Sequence, residues 1–233
     1  MLAYERERWA AGCRCLAGVD EAGRGPWAGP VIAAAVVLEP AFAEAERDGL
    51  LRGLTDSKKL TPRRREFFFE VLRSRAEVRV GIGSAEVAEI DACNILRATH
   101  RAMARALGQL HPAPELALVD GLPVQGLPCP SQAIVRGDGL SLSIAAASIM
   151  AKVTRDRLML ELDRQFPAYG FARHKGYGTA AHQRALRAFG PCPQHRRSFR
   201  PVRAALATLA SGAGERAGQH RREARESQPG TGC

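Results

Sequence analysis

The chain has 233 residues, 45% of them hydrophobic, with a formal net charge of +10. That length builds one sizeable core with little room for a second domain, and the longest apolar run, Val31 to Leu38, is strand-sized, well short of the roughly 18–20 residues of a membrane span. The charge suits a polyanionic partner, and Met1 to Leu16 is charged without an apolar stretch, so no secretion signal and a cytoplasmic location are expected.

Residues 1–14 read as a lead-in, and the first strand is expected over Leu16–Asp20, apolar until it meets Asp20 and Glu21. Strand neighbours point to opposite faces, so for both carboxylates to share a site the alternation must break at Glu21, where the glycines around it permit unusual backbone angles. Two clustered negative charges resist joint ionisation and call for a cation, with a divalent metal as the economical answer. The Gly23-Arg24-Gly25 turn that follows can offer backbone N–H groups and a guanidinium to a phosphate or a sugar. A second strand, Val31–Leu38, lies close behind a Gly/Pro turn and is expected to pair antiparallel with the first. From Glu39 to Gly53 the chain reads as a long loop.

A helix is expected to begin at Thr61-Pro62, where Thr caps and Pro takes the first helical position. Strand Val78–Ser84 follows, then a helix from Asn94 to Leu107 with an apolar stripe at Ile95, Ala98, Ala102 and Ala106. Strand Leu116–Asp120 is a buried pattern that stops at Asp120-Gly121, a second acid on a strand end. Strand Ala133–Arg136 runs into Gly137-Asp138-Gly139, where Asp138 either caps the next helix or binds metal. That helix is the longest, from Ser141 towards Gln165, and its small residues Ala145, Ala146 and Ala147 let a backbone approach closely. Further helices are expected after Thr179 and after Pro201. From Ser211 to the end there is no periodic apolar face, and residues 211–233, with Arg216, Arg221, Arg222 and Arg225, read as a disordered tail. The order of elements predicts a mixed α/β sheet with helices on its faces.

The six cysteines, Cys13, Cys15, Cys93, Cys129, Cys192 and Cys233, form no CxxC pair and read as reduced thiols. Of the 34 basic residues only Lys58, Lys59, Lys152 and Lys175 are lysine, so lysine is a selective choice here and phosphate contact is expected of them. His174 reads as a phosphate-facing or packing residue. His100, His111, His182 and His220 read as surface residues, and Ser148 as a packing residue. Four acids on three strand ends of a strongly basic protein describe a metal-dependent nuclease, in which the surface attracts phosphates and an acidic hole holds cations. A phosphate-binding module without catalysis gains nothing from such a hole.

These segments carry a resemblance. Gly18-Val19-Asp20-Glu21-Ala22-Gly23-Arg24-Gly25-Pro26 with Ala28-Gly29-Pro30-Val31 resembles the signature of the ribonuclease HII family. Asp56-Ser57-Lys58-Lys59-Leu60, Val119-Asp120-Gly121, Gly137-Asp138 and the stretch from Ala145 to Asp156 follow in family order. His174-Lys175-Gly176-Tyr177-Gly178-Thr179 and His195-Arg196-Arg197-Ser198-Phe199 complete the series. The resemblance spans roughly residues 15 to 200 and implies a ribonuclease H-like fold with a C-terminal helical region, the catalytic domain filling 15–210. It implies an endonuclease, acting as a monomer, that cuts the RNA strand of RNA–DNA hybrids. The same activity would nick DNA on the 5′ side of an embedded ribonucleotide, leaving 3′-hydroxyl and 5′-phosphate ends. Asp20, Glu21, Asp120 and Asp138 map onto its catalytic, metal-binding carboxylates, used with Mn2+ or Mg2+. Gly23, Arg24 and Gly25 map onto the turn that feels the 2′-hydroxyl, and Tyr177 onto the aromatic that stacks on the following deoxyribose. Ser57, Lys58, Lys152 and Lys175 complete the expected substrate contacts. The related type HIII enzymes carry an extra N-terminal domain; only about fifteen residues precede the first strand here, which favours type HII.

Overall fold

The computed structural model of the protein describes residues 1–208. A five-stranded sheet runs in the order β3-β2-β1-β4-β5, with β1 at Leu16–Ala22, β2 at Val31–Leu38, β3 at Val78–Ala85, β4 at Leu116–Asp120 and β5 at Ser131–Ile134. β1 pairs antiparallel with β2 and parallel with β4, so the sheet is mixed, as the order of elements predicts. The β1–β4 pairing runs Leu16 to Val19 against Leu116 to Val119, which brings Asp20 and Asp120 out at the same edge. Ligands gather at such strand ends in open α/β sheets.

Each face of the sheet is covered by helices. On one, the long helix α6 (Leu142–Gln165) buries Ala145, Ala146, Ala147 and Ile149 against Ala34, Val36 and Leu38. Helix α3 (Pro62–Ser74), capped by Thr61 through the Arg64 amide, closes that layer with Phe68, Phe69 and Leu72. On the other face, helix α5 (Ile95–Gly108) packs Ala98, Ala102 and Ala106 against Ala33, Ala35 and Val37. The small residues at the start of α6 serve backbone approach: a Cβ on Gly18 of β1 would lie 2.1 Å from the Ser143 carbonyl carbon. A short helix α7 (Phe171–His174), helix α8 (Ala180–Phe189), capped by Thr179, and a helix over 200–208 form the C-terminal region.

Four segments differ from the sequence expectation. The lead-in folds as helix α1 (Ala3–Ala10), whose buried Glu5 accepts from the Ser141 and Ser143 hydroxyls and the Ser143 amide at the start of α6. The Glu39–Gly53 segment contains helix α2 (Pro40–Glu46), with Pro40 at its first turn, and helix α4 (Val87–Cys93) precedes α5. The fifth strand lies two residues earlier than expected. Ala117 to Asp120 pair with Ser131 to Ile134, while Val135 is exposed and Arg136 turns into a left-handed conformation. The segment 211–233, with His220, Cys233 and the tail arginines, lies outside the described residues.

Candidate active site

Three aspartates meet where β1, β4 and the turn before α6 converge. Carboxylate oxygens of Asp20, Asp120 and Asp138 all lie within 4.8 Å of one another, and Asp20 and Asp138 are buried. The Asp138 amide donates to Asp120 Oδ1 at 3.4 Å, and the Glu21 amide to Asp20 Oδ1 at 2.7 Å. Ser148 also hydrogen-bonds Asp20, and its Oγ lies 2.9 Å from Ser57 Oγ. The serine expected only to pack is therefore a strut between α6, the Asp56–Leu60 segment and the first carboxylate.

Burial pushes the Asp20 carboxyl well above the ordinary aspartate range, and the charges of Glu21 and Asp120 push it further. Asp138 moves the same way, through burial first, then Asp120 and Asp56. Desolvation, the largest single effect on Lys58, lowers its pKa. The joint pull of Asp20, Asp56, Asp138 and Asp120 outweighs that and raises it. Asp56 is thus a further acid at the site that sequence reasoning missed. Its signal was present in Asp56-Ser57-Lys58, where its carboxylate accepts from the Lys58 amide at 2.9 Å. Close-set, buried oxygen donors that hold their protons too tightly suit a hard divalent cation, so the donor set fits magnesium or manganese.

Glu21 is placed differently. β1 continues as a regular strand through Ala22, with Glu21 opposite Ala33 and Ala22 opposite Ile32, so the alternation does not break at Glu21. Glu21 is not one of the three mutually close acids. It accepts from Arg24 Nη1 at 3.2 Å, and burial raises its pKa against the pull of that guanidinium. It still lines the adjoining cavity of about 240 Å³. The other walls of that cavity include Gly23, Arg24, Gly25, Ser57, Lys58, Lys152, Arg155 and Tyr177. Seven of the eight expected substrate contacts therefore face one space. Lys175 does not: its Nζ donates to the Ala172 carbonyl at 2.7 Å and it lines a neighbouring depression. Lys152 is held by Asp156 at 2.7 Å. A larger cavity, about 460 Å³, is lined by Trp27, Gln183, Leu186 and Pro201 and contains none of the carboxylates.

Tyr177 is 46% exposed, and a Cβ on Gly25 would lie 3.7 Å from its ring. Its loop is tied from behind by a histidine chain that the sequence reading placed on the surface or left unassigned. His182 is fully buried, which corrects the expectation that it is a surface residue. Its Nδ1 lies 3.0 Å from the Tyr177 carbonyl and its Nε2 3.0 Å from His195 Nε2. His195 Nδ1 accepts from the Cys192 amide at 3.0 Å. The ends dictate the tautomers: a carbonyl needs His182 to donate from Nδ1, so His195 donates from Nε2 and accepts at Nδ1. Both rings are neutral in this arrangement. Burial lowers both pKa values, that of His195 to about 4. His174 stacks on His182 at 4.5 Å between centroids and bonds the Tyr169 carbonyl and the Gly176 amide, so its role is packing.

A family model described as Ribonuclease HII matches residues 17–202. The chain is 55% identical over 206 residues to Ribonuclease HII of Geobacillus kaustophilus, covering 88% of this chain and 76% of that protein. It is 56% identical over 195 residues to Ribonuclease HII of Rhodospirillum rubrum, covering 84% and 88%. Among solved structures, ribonuclease H2 from Pyrococcus horikoshii OT3 superposes with a TM-score of 0.67 at 27% identity, covering 84% of this chain and 98% of that one.

Proposed function

The chain belongs to the ribonuclease HII family and is an endonuclease acting on RNA–DNA hybrids, and from that premise we propose how its own residues divide the work. Asp20, Asp120 and Asp138 hold the divalent cations, Mn2+ or Mg2+, with Glu21 at the edge of the site. The bound metal supplies an activated water and a counter-charge for the leaving oxygen. Ser148 and the Glu21 amide orient Asp20, and Lys58 offsets the acidic charge while the site is metal-free. The Gly23–Gly25 turn reads the 2′-hydroxyl, the one group that distinguishes RNA from DNA at a single nucleotide. Tyr177 stacks on the following deoxyribose, so the enzyme nicks on the 5′ side of an embedded ribonucleotide and leaves 3′-hydroxyl and 5′-phosphate ends. Ser57, Lys58, Lys152 and Lys175 contact or steer the backbone phosphates. All of these groups come from one chain, which supports action as a monomer; a cytoplasmic location is proposed from the charged N-terminal stretch.

The observation that carries this reading is that the glycine turn, Tyr177 and Glu21 line one cavity, with Glu21 directly following Asp20 of the three-aspartate cluster. The test is cleavage of a duplex with a single ribonucleotide beside a continuous RNA–DNA hybrid, in magnesium or manganese, by the natural protein and by Tyr177→Ala. A lost aromatic–nucleotide stack costs about 1–3 kcal/mol, or one to two orders of magnitude. That loss is expected on the single-ribonucleotide duplex and a smaller one on the hybrid. Equal losses on both would refute junction reading by Tyr177.

A further inference from the structure

Among the described residues, two arginines are buried without a carboxylate within hydrogen-bonding reach. Arg196 is fully buried and spends its guanidinium on three backbone carbonyls: Nε to Gly29 at 2.9 Å, Nη1 to Arg24 at 3.0 Å and Nη2 to Gly23 at 2.6 Å. Arg155, 1% exposed, does the same for Pro30, Ala28 and Lys175 at 3.0–3.1 Å. Burying a guanidinium against carbonyls alone is costly, so such an arrangement demands a compensating purpose.

The geometry of the peptide bond supplies one. In a trans peptide the C=O and the N–H that share a plane point in opposite directions. Gly23 C=O and Arg24 C=O both face inward to Arg196, so the amides of Arg24 and Gly25 face outward. Neither amide donates a hydrogen bond among the described residues, and both residues line the cavity with Tyr177. Gly23 takes φ +99°, and a Cβ there would meet Arg155 Nε at 2.0 Å, so the second guanidinium backs the same turn. Arg196 also ties the turn to the Tyr177 loop. Its own amide donates to Trp27 O at 2.8 Å, and the Trp27 amide donates to Gly176 O at 2.8 Å.

We propose that Arg196 is the positioning residue for ribose recognition: its three-carbonyl clamp aims the Arg24 and Gly25 amides at the sugar without touching substrate. This rests on the proposed reading of the Gly23–Gly25 turn. A lysine keeps the charge but cannot bridge three divergent carbonyls, because it lacks the planar fork.

The experiment uses the full chain with Arg196→Gln and Arg196→Lys. Equilibrium binding, measured in EDTA, compares a duplex holding one ribonucleotide with the all-deoxy duplex of the same sequence. Manganese binding is followed separately by calorimetry. The natural protein is expected to prefer the ribonucleotide duplex. Arg196→Gln should lose about tenfold of that preference, two modest hydrogen bonds' worth, and Arg196→Lys less but measurably. Manganese affinity should hold in both. An unchanged preference in Arg196→Lys, or in folded Arg196→Gln, would overturn the proposal; if the glutamine variant does not fold, the lysine variant decides. If the natural protein shows no preference, the reading of the turn fails first and this proposal falls with it.

Discussion

At the scale of single residues, Asp20 concentrates the site's conflict. A buried carboxylate beside two others holds its proton because ionisation is opposed by desolvation first and by like charge second. Its folded pKa lies above its unfolded value of about 3.9. Its contribution to stability is therefore fully present below that value and is lost as pH rises through the folded pKa. Metal-free protein should accordingly lose melting temperature on going from acid to neutral pH, and divalent metal should restore it. Asp20→Asn should remove cleavage by orders of magnitude, yet melt higher than the natural protein at pH 7 in EDTA, with the acid-to-neutral slope flattened. Thermal melts in EDTA and in manganese over pH 4–8 check this. Retained turnover or an unchanged slope would sink it. Asp20, Asp120 and Asp138 were legible in the sequence only together: each alone reads as a turn, a strand end or a cap, but their recurrence after successive apolar runs of a basic chain does not. Arg155, Arg196 and His182 were not legible as site supports. Their partners are backbone groups of distant segments, Pro30, Gly23 and the like, and no side-chain pattern announces a carbonyl.

Among the elements, the histidine chain from the loop before His195 through α8 to the Tyr177 carbonyl behaves as one hydrogen-bonded unit. Protonating His182 places two donors face to face at the 3.0 Å Nε2–Nε2 contact, and protonating His195 sets its Nδ1–H against the Cys192 amide 3.0 Å away. The folded pKa values are depressed, that of His195 to about 4. Stability from these rings is thus present above their unfolded value of about 6.5 and is lost as pH falls towards 4. His182→Phe keeps the ring stacking and removes one titrating group. It should cost about 1–3 kcal/mol at pH 8, through the unpaired His195 donor and Tyr177 carbonyl, and reduce the acid sensitivity between pH 6.5 and 4. Urea melts at several pH values, run in manganese so that the carboxylates are compensated, test the sign; an undiminished acid sensitivity would count against the chain. The strands and the long helices were legible because apolar runs and capped stripes survive any tertiary context. Thr61, Asn94, Ser141 and Thr179 each cap the helix expected of them. Helix α1 was not, since its anchor is Glu5, a charged residue that reads as surface until Ser141 and Ser143 are brought to it. The break expected at Glu21 failed for a related reason. Pairing with Ala33 and Ile32 of β2 holds the strand regular through Ala22, and the glycines act only after it.

Over the whole molecule, charge is sorted rather than merely abundant. Many surface arginines are neutralised locally: Arg6 by Glu44, Arg101 and Arg105 by Glu89, Arg157 by Glu66 and Glu70. Such exposed pairs contribute little to stability, but they consume acids far from the cavity. Around the cavity the balance differs. Lys58 answers the carboxylates, while Arg155 and Arg196 remain uncompensated by any acid within hydrogen-bonding reach. A polyanion that contacts the exposed cations lining the cavity, rather than these two buried guanidiniums, releases counterions, so log affinity should fall linearly with log salt, by about 0.9 for each phosphate contacted on a duplex. Lys152 is the informative probe, because it lines the cavity and holds Asp156 through a partly exposed pair. If it contacts a phosphate, Lys152→Ala should weaken hybrid binding and reduce that slope by about 0.9, while kcat at saturating substrate changes little. Lys58→Ala should behave differently, altering manganese affinity because its charge is engaged by the acidic group. Binding measured between about 50 and 200 mM salt, the range over which such slopes are resolved, separates the two. A slope unmoved by Lys152→Ala would assign that lysine to its Asp156 pair and take it off the path of the phosphates.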